Sequence, residues 1–402
     1  MRVLLADKLA PLVAGHLQDL GAEVHNAPGL SGPDLQAALA EIDPNVLVVR
    51  STKVTADHLS AGRALALVIR AGAGVNTIDL PTASAQGVYV ANCPGKNACA
   101  VAELTIGHLI NLDRRIADNV ASLRAARWDK KGFGAARGLN GRVLAILGYG
   151  RIGEEVSLRA SALGMEIRAW SRSLTDEVAA EFGVERFDTP EAAVTGADAV
   201  SVHLALSPET KGRVGESVFS AMKSGAYFIN TSRGAVVDQA ALLRALDGKD
   251  LRAGLDVFEQ EPSSGTGEFT DAIVEHENVY GTHHIGASTE EATEAVGDEV
   301  VRIAAAYARG AVIPNCVNLA NRTGATHTLV VRHADRVGVL AGVLGILREA
   351  GINVQEMQNT MFSGGAAACA RINVVGEPSA AAVNVIRAAT HVFDATVGPI
   401  EP

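Results

Sequence analysis

A chain of 402 residues is too long for one small domain and fits roughly two or three. Apolar residues make up 48 % and charged residues 20 %, the balance of filled cores under a solvated surface. The net charge of −10 argues against a nucleic-acid partner, which calls for a basic face, so an anionic ligand must be caught by local cations.

The N-terminal string MRVLLADKLA reaches Asp7 after a short apolar run and has no signal-peptide core. No segment approaches the ~20 apolar residues of a membrane span. The cysteines Cys93, Cys99, Cys316 and Cys369 form no CxxC pair and no metal-ligand cluster, so reduced thiols and no metal are expected. Together these features predict a soluble cytoplasmic protein.

Short apolar runs then alternate with helical patterns, which predicts α/β layering. Strands are expected at 3–5, 47–50, 65–70 and 88–92, and one long amphipathic helix over 100–120. A second α/β unit begins near Leu139. Its expected strands are VLAIL (143–147), MEIRAW (165–170), DAVSVHLAL (198–206), YFINTS (227–232) and AGLDVF (253–258). Such continuous apolar strands, joined by helices, belong in a parallel sheet buried on both faces. A long helix over 290–310 is expected to return the chain to the first unit. Beyond a linker at 321–327, strands and helices alternate as βαββαβ, with a tight SGG turn at 363–365, a ferredoxin-like plait. The expected class is therefore two doubly wound, Rossmann-like parallel-sheet domains plus a C-terminal ferredoxin-like domain. Its expected boundaries are 1–95 with 285–318, 96–284, and 325–402.

Gly148, Gly150 and Gly153 form GxGxxG between an apolar strand and a helix. In that setting the glycines permit a tight turn, close approach of a pyrophosphate and close helix–sheet packing, and the helix start offers free N–H donors. An acid normally follows at the end of the next strand to hold the ribose. Here Trp170 is followed by Ser171 and Arg172, which leaves NAD and NADP both open. Downstream, Arg233 sits in NTSRGAVVD, at a strand end where parallel sheets bind ligands, and suits a carboxylate clamp. Glu261 lies in LDVFEQEP and His284 in THHIGAST, with His283 beside it; an imidazole braced by a carboxylate can move a proton near neutral pH. Asp256, at another strand end, reads as a contact on the nicotinamide side.

These residues stand in strings that resemble the D-2-hydroxyacid dehydrogenase family: VRSTKVT (49–55), RAGAGVNTID (70–79), VAELTIGHLI (101–110), GYGRIG, MKSGAYFINTSRG (222–234), LDVFEQEP and HIGAST (284–289). The resemblance implies that Arg233 clamps a carboxylate, His284 is the acid/base and Glu261 orients it. It implies that Gly150, Arg151, Ile152 and Gly153 meet the pyrophosphate, and that His203, Leu204, Thr231, Ser232, Asp256, Gly286 and Ala287 line the cofactor. It also implies that Gly72, Ala73 and Gly74 offer N–H groups to the carboxylate, with Arg50, Lys53 and Arg70 on the phosphate side.

VRSTKVT and the plait resemble the phosphoglycerate-oxidising branch of that family. This implies hydride transfer from C2 of 3-phosphoglycerate to give 3-phosphohydroxypyruvate, the first step of L-serine biosynthesis, in a homodimer or homotetramer. The alternatives are a glyoxylate or hydroxypyruvate reductase, NADP-linked or not, and a non-catalytic nucleotide- or amino-acid-sensing protein. Three departures stand out: His283 replaces the family's usual proline, Ser171 replaces the ribose-binding acid, and Lys96 adds a cation near the expected cleft. The C-terminal segment resembles an ACT domain, a regulatory amino-acid-binding module. His333, Asp335 and Asn353 then mark a site for L-serine or another amino acid, although Asp335 stands where serine-sensitive relatives carry asparagine.

Overall fold

The computed structural model describes residues 1–262, 266–320 and 322–400; Asn321 of the expected linker and the last two residues of the plait lie outside them. It divides into two compact units, Met1–Asn318 and Leu319–Pro402.

The first unit holds two parallel sheets. In one, β1 (Arg2–Leu5), β2 (Glu23–Asn26), β3 (Val46–Val49), β4 (Leu67–Arg70) and β5 (Tyr89–Asn92) lie in the order β2-β1-β3-β4-β5. Val46 to Val49 are buried on both faces, as a central parallel strand requires. The sequence reading has no counterpart for β2. Its residues EVHN are half polar because it is an edge strand with a single neighbour. The helix Glu290–Ala308 packs Val296, Val300, Ile303 and Ala304 into the same core as Val3, Leu5, Val46 and Val48. A segment far along the chain thus closes the first sheet's helical layer.

The other sheet contains β6 (Val143–Leu147), β7 (Glu166–Trp170), β8 (Glu185–Arg186), β9 (Ala199–Val202), β10 (Tyr227–Asn230), β11 (Arg252–Leu255) and β12 (Val279–Gly281). Their order is β12-β11-β10-β9-β6-β7-β8, all parallel. Chain order reverses between β6 and β9, and ligands bind outside the strand ends at such a point. The short strands β8 and β12 carry too few apolar residues to be anticipated.

Two expectations need correction. The strand expected over 198–206 ends at Val202, and His203 to Leu206 form a loop. The single helix expected over 100–120 is two, Ala98–Arg114 and Ile116–Arg124, separated at Arg115 with φ 50°. Side-chain amides satisfy the break: Asn111 Oδ1 accepts from Ala117 N and Asn119 Nδ2 donates to Arg114 O and Arg115 O. Apolar spacing continues across the break, so periodicity alone hides it.

In the second unit β13 (His327–Ala334), β14 (Val354–Met361), β15 (Ala367–Val374) and β16 (Val392–Pro399) form an antiparallel sheet, order β14-β15-β13-β16. Helices Val339–Glu349 and Ala380–Ala388 complete βαββαβ and share one core with Leu329, Val331, Ala370 and Ile372. Among the described residues no helix is long and apolar enough to cross a membrane.

Phe219 and Phe228 are fully buried and meet edge-to-face, ring centroids 5.1 Å apart, under the second sheet. Phe228→Ala leaves a cavity there and should cost about 3–5 kcal/mol. Urea denaturation followed by circular dichroism checks this; a loss under about 1 kcal/mol would mean that this pair does not anchor the sheet.

Candidate active site

The site gathers at the C-terminal ends of the strands in both sheets. After β6 the chain turns through Gly148 at φ 99°, and a Cβ there would lie 2.7 Å from the His203 carbonyl. Gly153 lies on the helix Arg151–Ala162, and a Cβ there would lie 2.6 Å from Gly148 O. A Cβ at Gly150 would meet nothing within 4 Å. Gly148 therefore packs against the chain after β9 and Gly153 against the turn itself, while Gly150 faces open space at the helix N-terminus. That is the cradle a pyrophosphate needs.

Around this cradle, His203 follows β9 and shares a 2.8 Å hydrogen bond between Nε2 and Ser201 Oγ. Burial pushes its imidazole down to about 3, so the ring is neutral. At the end of β7, Ser171 is half-buried and Arg172 exposed; Arg172 helps hold Glu209 ionised, after that carboxylate's own hydrogen bonds to Ser207 and the backbone.

At the end of β10, Asn230 shapes the turn that presents Arg233. Its Oδ1 accepts from Ser232 N and Oγ at 3.0 and 2.8 Å, and its Nδ2 donates to Arg233 O at 3.1 Å. Thr231 is tied to Thr105 by a 3.0 Å hydroxyl pair. Burial lowers the Arg233 guanidinium from its usual value and Glu261 partly offsets this.

His284 and Glu261 meet directly, Nδ1 to Oε2 at 2.7 Å. Glu261 Oε1 also accepts from Phe258 N at 2.9 Å. Burial pushes the Glu261 carboxyl up, but the hydrogen bonds from His284 and Phe258 and the charges of His284 and Arg233 outweigh it, leaving it below the ordinary value.

His284 adopts φ 52°, a left-handed conformation uncommon for any residue but glycine. Asp256, buried at the end of β11, holds that loop. Its Oδ1 accepts from Thr282 Oγ1 at 2.6 Å and Ile285 N at 2.9 Å, and its Oδ2 from Gly286 N at 2.8 Å. Behind Thr282 stands the buried His108, Nε2 to Oγ1 at 3.1 Å. What the structure establishes for Asp256 is this grip on the loop, a role the sequence reading did not foresee.

Across a cleft of about 1320 Å³, lined by Glu261, His283, His284, Ala287, Arg50 and Arg70 among others, the first sheet contributes the cations. Burial, then the charges of Arg233 and Arg50, push Arg70 down to about 10, with Cys93 and Asp7 pulling the other way. The buried Nε of Arg70 has no hydrogen-bond partner among the described residues. At Arg70, burial and the charges of the other two arginines outweigh Asp7, an arrangement that attracts an anion. The Gly72–Gly74 loop abuts Arg233: a Cβ on Gly74 would lie 2.6 Å from Arg233 Nη2. Of the three N–H groups expected to be open, that of Gly72 is instead spent on Arg70 O at 2.8 Å, whereas among the described residues neither Ala73 N nor Gly74 N donates within the protein.

Lys53 is exposed and is not among the residues lining the cleft. Lys96 departs from expectation. Its ammonium lies 3.4 Å from the buried carboxylate of Glu299, which also binds Arg302 and Asn315, so its charge is spent on the junction between β5 and the helix Glu290–Ala308.

In the second unit His333 is buried, with Nδ1 on Ala334 O at 2.9 Å and Nε2 on Asn359 Oδ1 at 3.2 Å. Asp335 and Asn353 are exposed, and among the described residues no hydrogen bond joins the three. Asp7, Asn230, Thr105 and His108 are the structural partners that sequence reasoning missed. Asn230, Thr105 and His108 lay inside strings already singled out, but nothing in their spacing announces a hydrogen bond.

Residues 106–286 match the family model "D-isomer specific 2-hydroxyacid dehydrogenase, NAD binding domain". The chain is 40 % identical over 326 residues to D-3-phosphoglycerate dehydrogenase of Rattus norvegicus, covering 81 % of this chain and 60 % of that one. It therefore spans about 60 % of the length of such curated relatives. A crystal structure of a Thermus thermophilus protein is 30 % identical with TM-score 0.68, over 79 % of this chain and all of that one. The NAD+-bound 3-phosphoglycerate dehydrogenase of Entamoeba histolytica is 25 % identical with TM-score 0.66, over 79 % of this chain and 99 % of that one.

The lowered Glu261 carboxyl makes a pH prediction. A depressed folded value stabilises the fold above the unfolded carboxyl value of about 4.3 and loses that contribution as pH falls through the folded value. Glu261→Gln should therefore melt below the wild type at pH 7, and the gap should close as the pH falls below the unfolded carboxyl value and through the lower folded one. A pH-independent gap between them would show that the Glu261 charge contributes nothing.

Proposed function

Because the chain belongs to the D-isomer specific 2-hydroxyacid dehydrogenase family and carries its NAD-binding domain, we propose that it oxidises 3-phosphoglycerate at C2 to 3-phosphohydroxypyruvate, the first step of L-serine biosynthesis. One observation carries this reading: the 2.7 Å His284–Glu261 pair shares a single cleft with Arg50 and Arg70, and Arg233 lies close enough for its charge to act on both Arg70 and Glu261. An imidazole for proton transfer and cations enough for two anionic groups suit a phosphorylated hydroxy acid.

In this reading Arg233 and the N–H groups of Ala73 and Gly74 take the substrate carboxylate. Arg50 and Arg70 take the phosphate, and Lys53 adds charge from outside the cleft. Glu261 holds Nδ1 of His284, which leaves Nε2 to accept the C2 hydroxyl proton. Bound NAD supplies the hydride acceptor. Gly148, Gly150, Arg151, Ile152 and Gly153 would hold its pyrophosphate and Ser171 and Arg172 its adenosine end. His203, Leu204, Thr231, Ser232, Asp256, Gly286 and Ala287 would line the rest. Closing the cleft would orient both reactants and exclude water.

A second reading, an NADP-linked glyoxylate or hydroxypyruvate reductase, draws on the exposed Arg172 and the absence of an acid at Ser171.

We place the protein in the cytoplasm, which its free cysteines support. As a partner we propose a second copy or more, a homodimer or homotetramer. The exposed Ile116, Val120, Leu123 and Trp128, all on one short segment, support it. The plait would take L-serine or another amino acid, with Asp335 and Asn353 exposed to meet it.

The deciding experiment compares reduction of 3-phosphohydroxypyruvate, hydroxypyruvate and glyoxylate with NADH and NADPH. The phosphorylated acid with NADH should lead, and His284→Ala should lower kcat by about 100-fold or more. Preference for an unphosphorylated acid with NADPH moves the protein to the reductase reading, and full turnover by His284→Ala removes the mechanism. Millimolar L-serine should lower the rate and sedimentation should report a dimer or tetramer. An unaltered rate or a monomer would each strike out the corresponding proposal.

A further inference from the structure

Asp7 stands at the ligand end of β1 and has no part in the chemistry described so far. Its carboxylate is nevertheless engaged at every side by the turn that carries Arg50. Oδ2 accepts from the N–H groups of Arg50, Ser51 and Thr52 at 2.6, 3.0 and 3.0 Å, and Oδ1 accepts from Thr52 Oγ1 at 3.0 Å. Three successive backbone N–H groups closing on one anion fix a turn far more firmly than loop composition does. Hydrogen bonds to a charged acceptor are the strong kind.

What that turn presents is Arg50. Its guanidinium reaches over the cleft to the carbonyl of Ala287, Nη2 to O at 3.4 Å. Ala287 lies three residues beyond His284, on the loop whose N–H groups Asp256 holds. The two cleft walls are thus joined along a line from β1 through Asp7, the 50–52 turn and Arg50 to the loop of the proton-transfer residue. Asp7 also lies close enough to the arginine cluster for its charge to act on Arg70.

We propose that Asp7 is a positioning residue that sets substrate specificity: by fixing the 50–52 turn it holds Arg50 in register with the His284 loop, so that a substrate's second anionic group is read at a set distance from the proton-transfer atom. The inference rests on the phosphorylated-acid reading given above. An acid without that group gains nothing from the register. Asp7 therefore acts on discrimination between the two kinds of acid, through Arg50, and not on proton transfer itself.

The test is a double-mutant cycle of Asp7→Ala and Arg50→Gln, with kcat and KM measured for 3-phosphohydroxypyruvate and for hydroxypyruvate. In the wild type the phosphorylated acid is preferred. Asp7→Ala should cut that preference about tenfold, mainly through KM for the phosphorylated acid, as expected for loss of a charge-assisted contact. In the Arg50→Gln background Asp7→Ala should cut it little further, because both changes break one line of contacts. If Asp7→Ala lowers kcat/KM for both acids by the same factor, or cuts the preference equally in either background, Asp7 is merely structural. Asp7→Asn, which keeps the volume and one carbonyl acceptor, takes its place in the cycle if the alanine variant does not fold. A wild type with no preference for the phosphorylated acid defeats the substrate reading itself, and the role of Asp7 with it.

Discussion

The candidate site depends on a single buried carboxylate. Asp256, at the end of β11, accepts from Thr282, Ile285 and Gly286, residues on either side of His284. Those bonds hold the loop in a shape in which His284 takes a left-handed backbone conformation. A non-glycine residue there costs on the order of 1–3 kcal/mol and persists only where its surroundings over-determine it. Here the surroundings do so twice, because Glu261 also grips the ring at 2.7 Å. Proline before the histidine would stiffen such a loop by fixing φ. His283 stands there instead, and the side chains of Asp256 and Glu261 supply the constraint.

Electrostatics gives the cleft its preference. The molecule as a whole carries −10, yet Arg50, Arg70 and Arg233 converge where the two sheets face each other. Burial makes such a cluster costly without an anion, because unpaired charges in poorly solvated surroundings repel one another. Each arginine comes from a different place: Arg50 follows β3 and Arg70 ends the neighbouring β4 of the first sheet, and Arg233 follows β10 of the second. Only a cleft between parallel sheets with ligand-facing strand ends brings them together.

Much of this was legible before any fold was drawn. The all-apolar strand β6, the mostly apolar β10, the glycine turn between strand and helix, and the βαββαβ order of the C-terminal unit follow from periodicity and turn chemistry. Less legible were β2, β8 and β12, which sit at or beside sheet edges and carry little apolar signal. The break at Arg115 was hidden because side-chain amides, not glycine or proline, satisfy it. Lys96, in the string PGKN, was read as an added cation near the cleft because the family usually carries a neutral residue there. Its ion pair with Glu299, roughly half the chain away, decided otherwise.

By itself, then, the sequence determined the elements and the chemistry at hand: a guanidinium, a carboxylate and an imidazole at strand ends, and a turn made for phosphates. Local spacing sets these through short-range backbone preferences and the burial of apolar faces. Tertiary structure alone decided which groups meet. The grip of Asp256 on the His284 loop, the hold of Asp7 on the 50–52 turn and the reach of Arg50 to Ala287 all join residues distant in the chain. A hydrogen bond of that kind depends on how two packed layers face each other, and no periodicity within either segment records it.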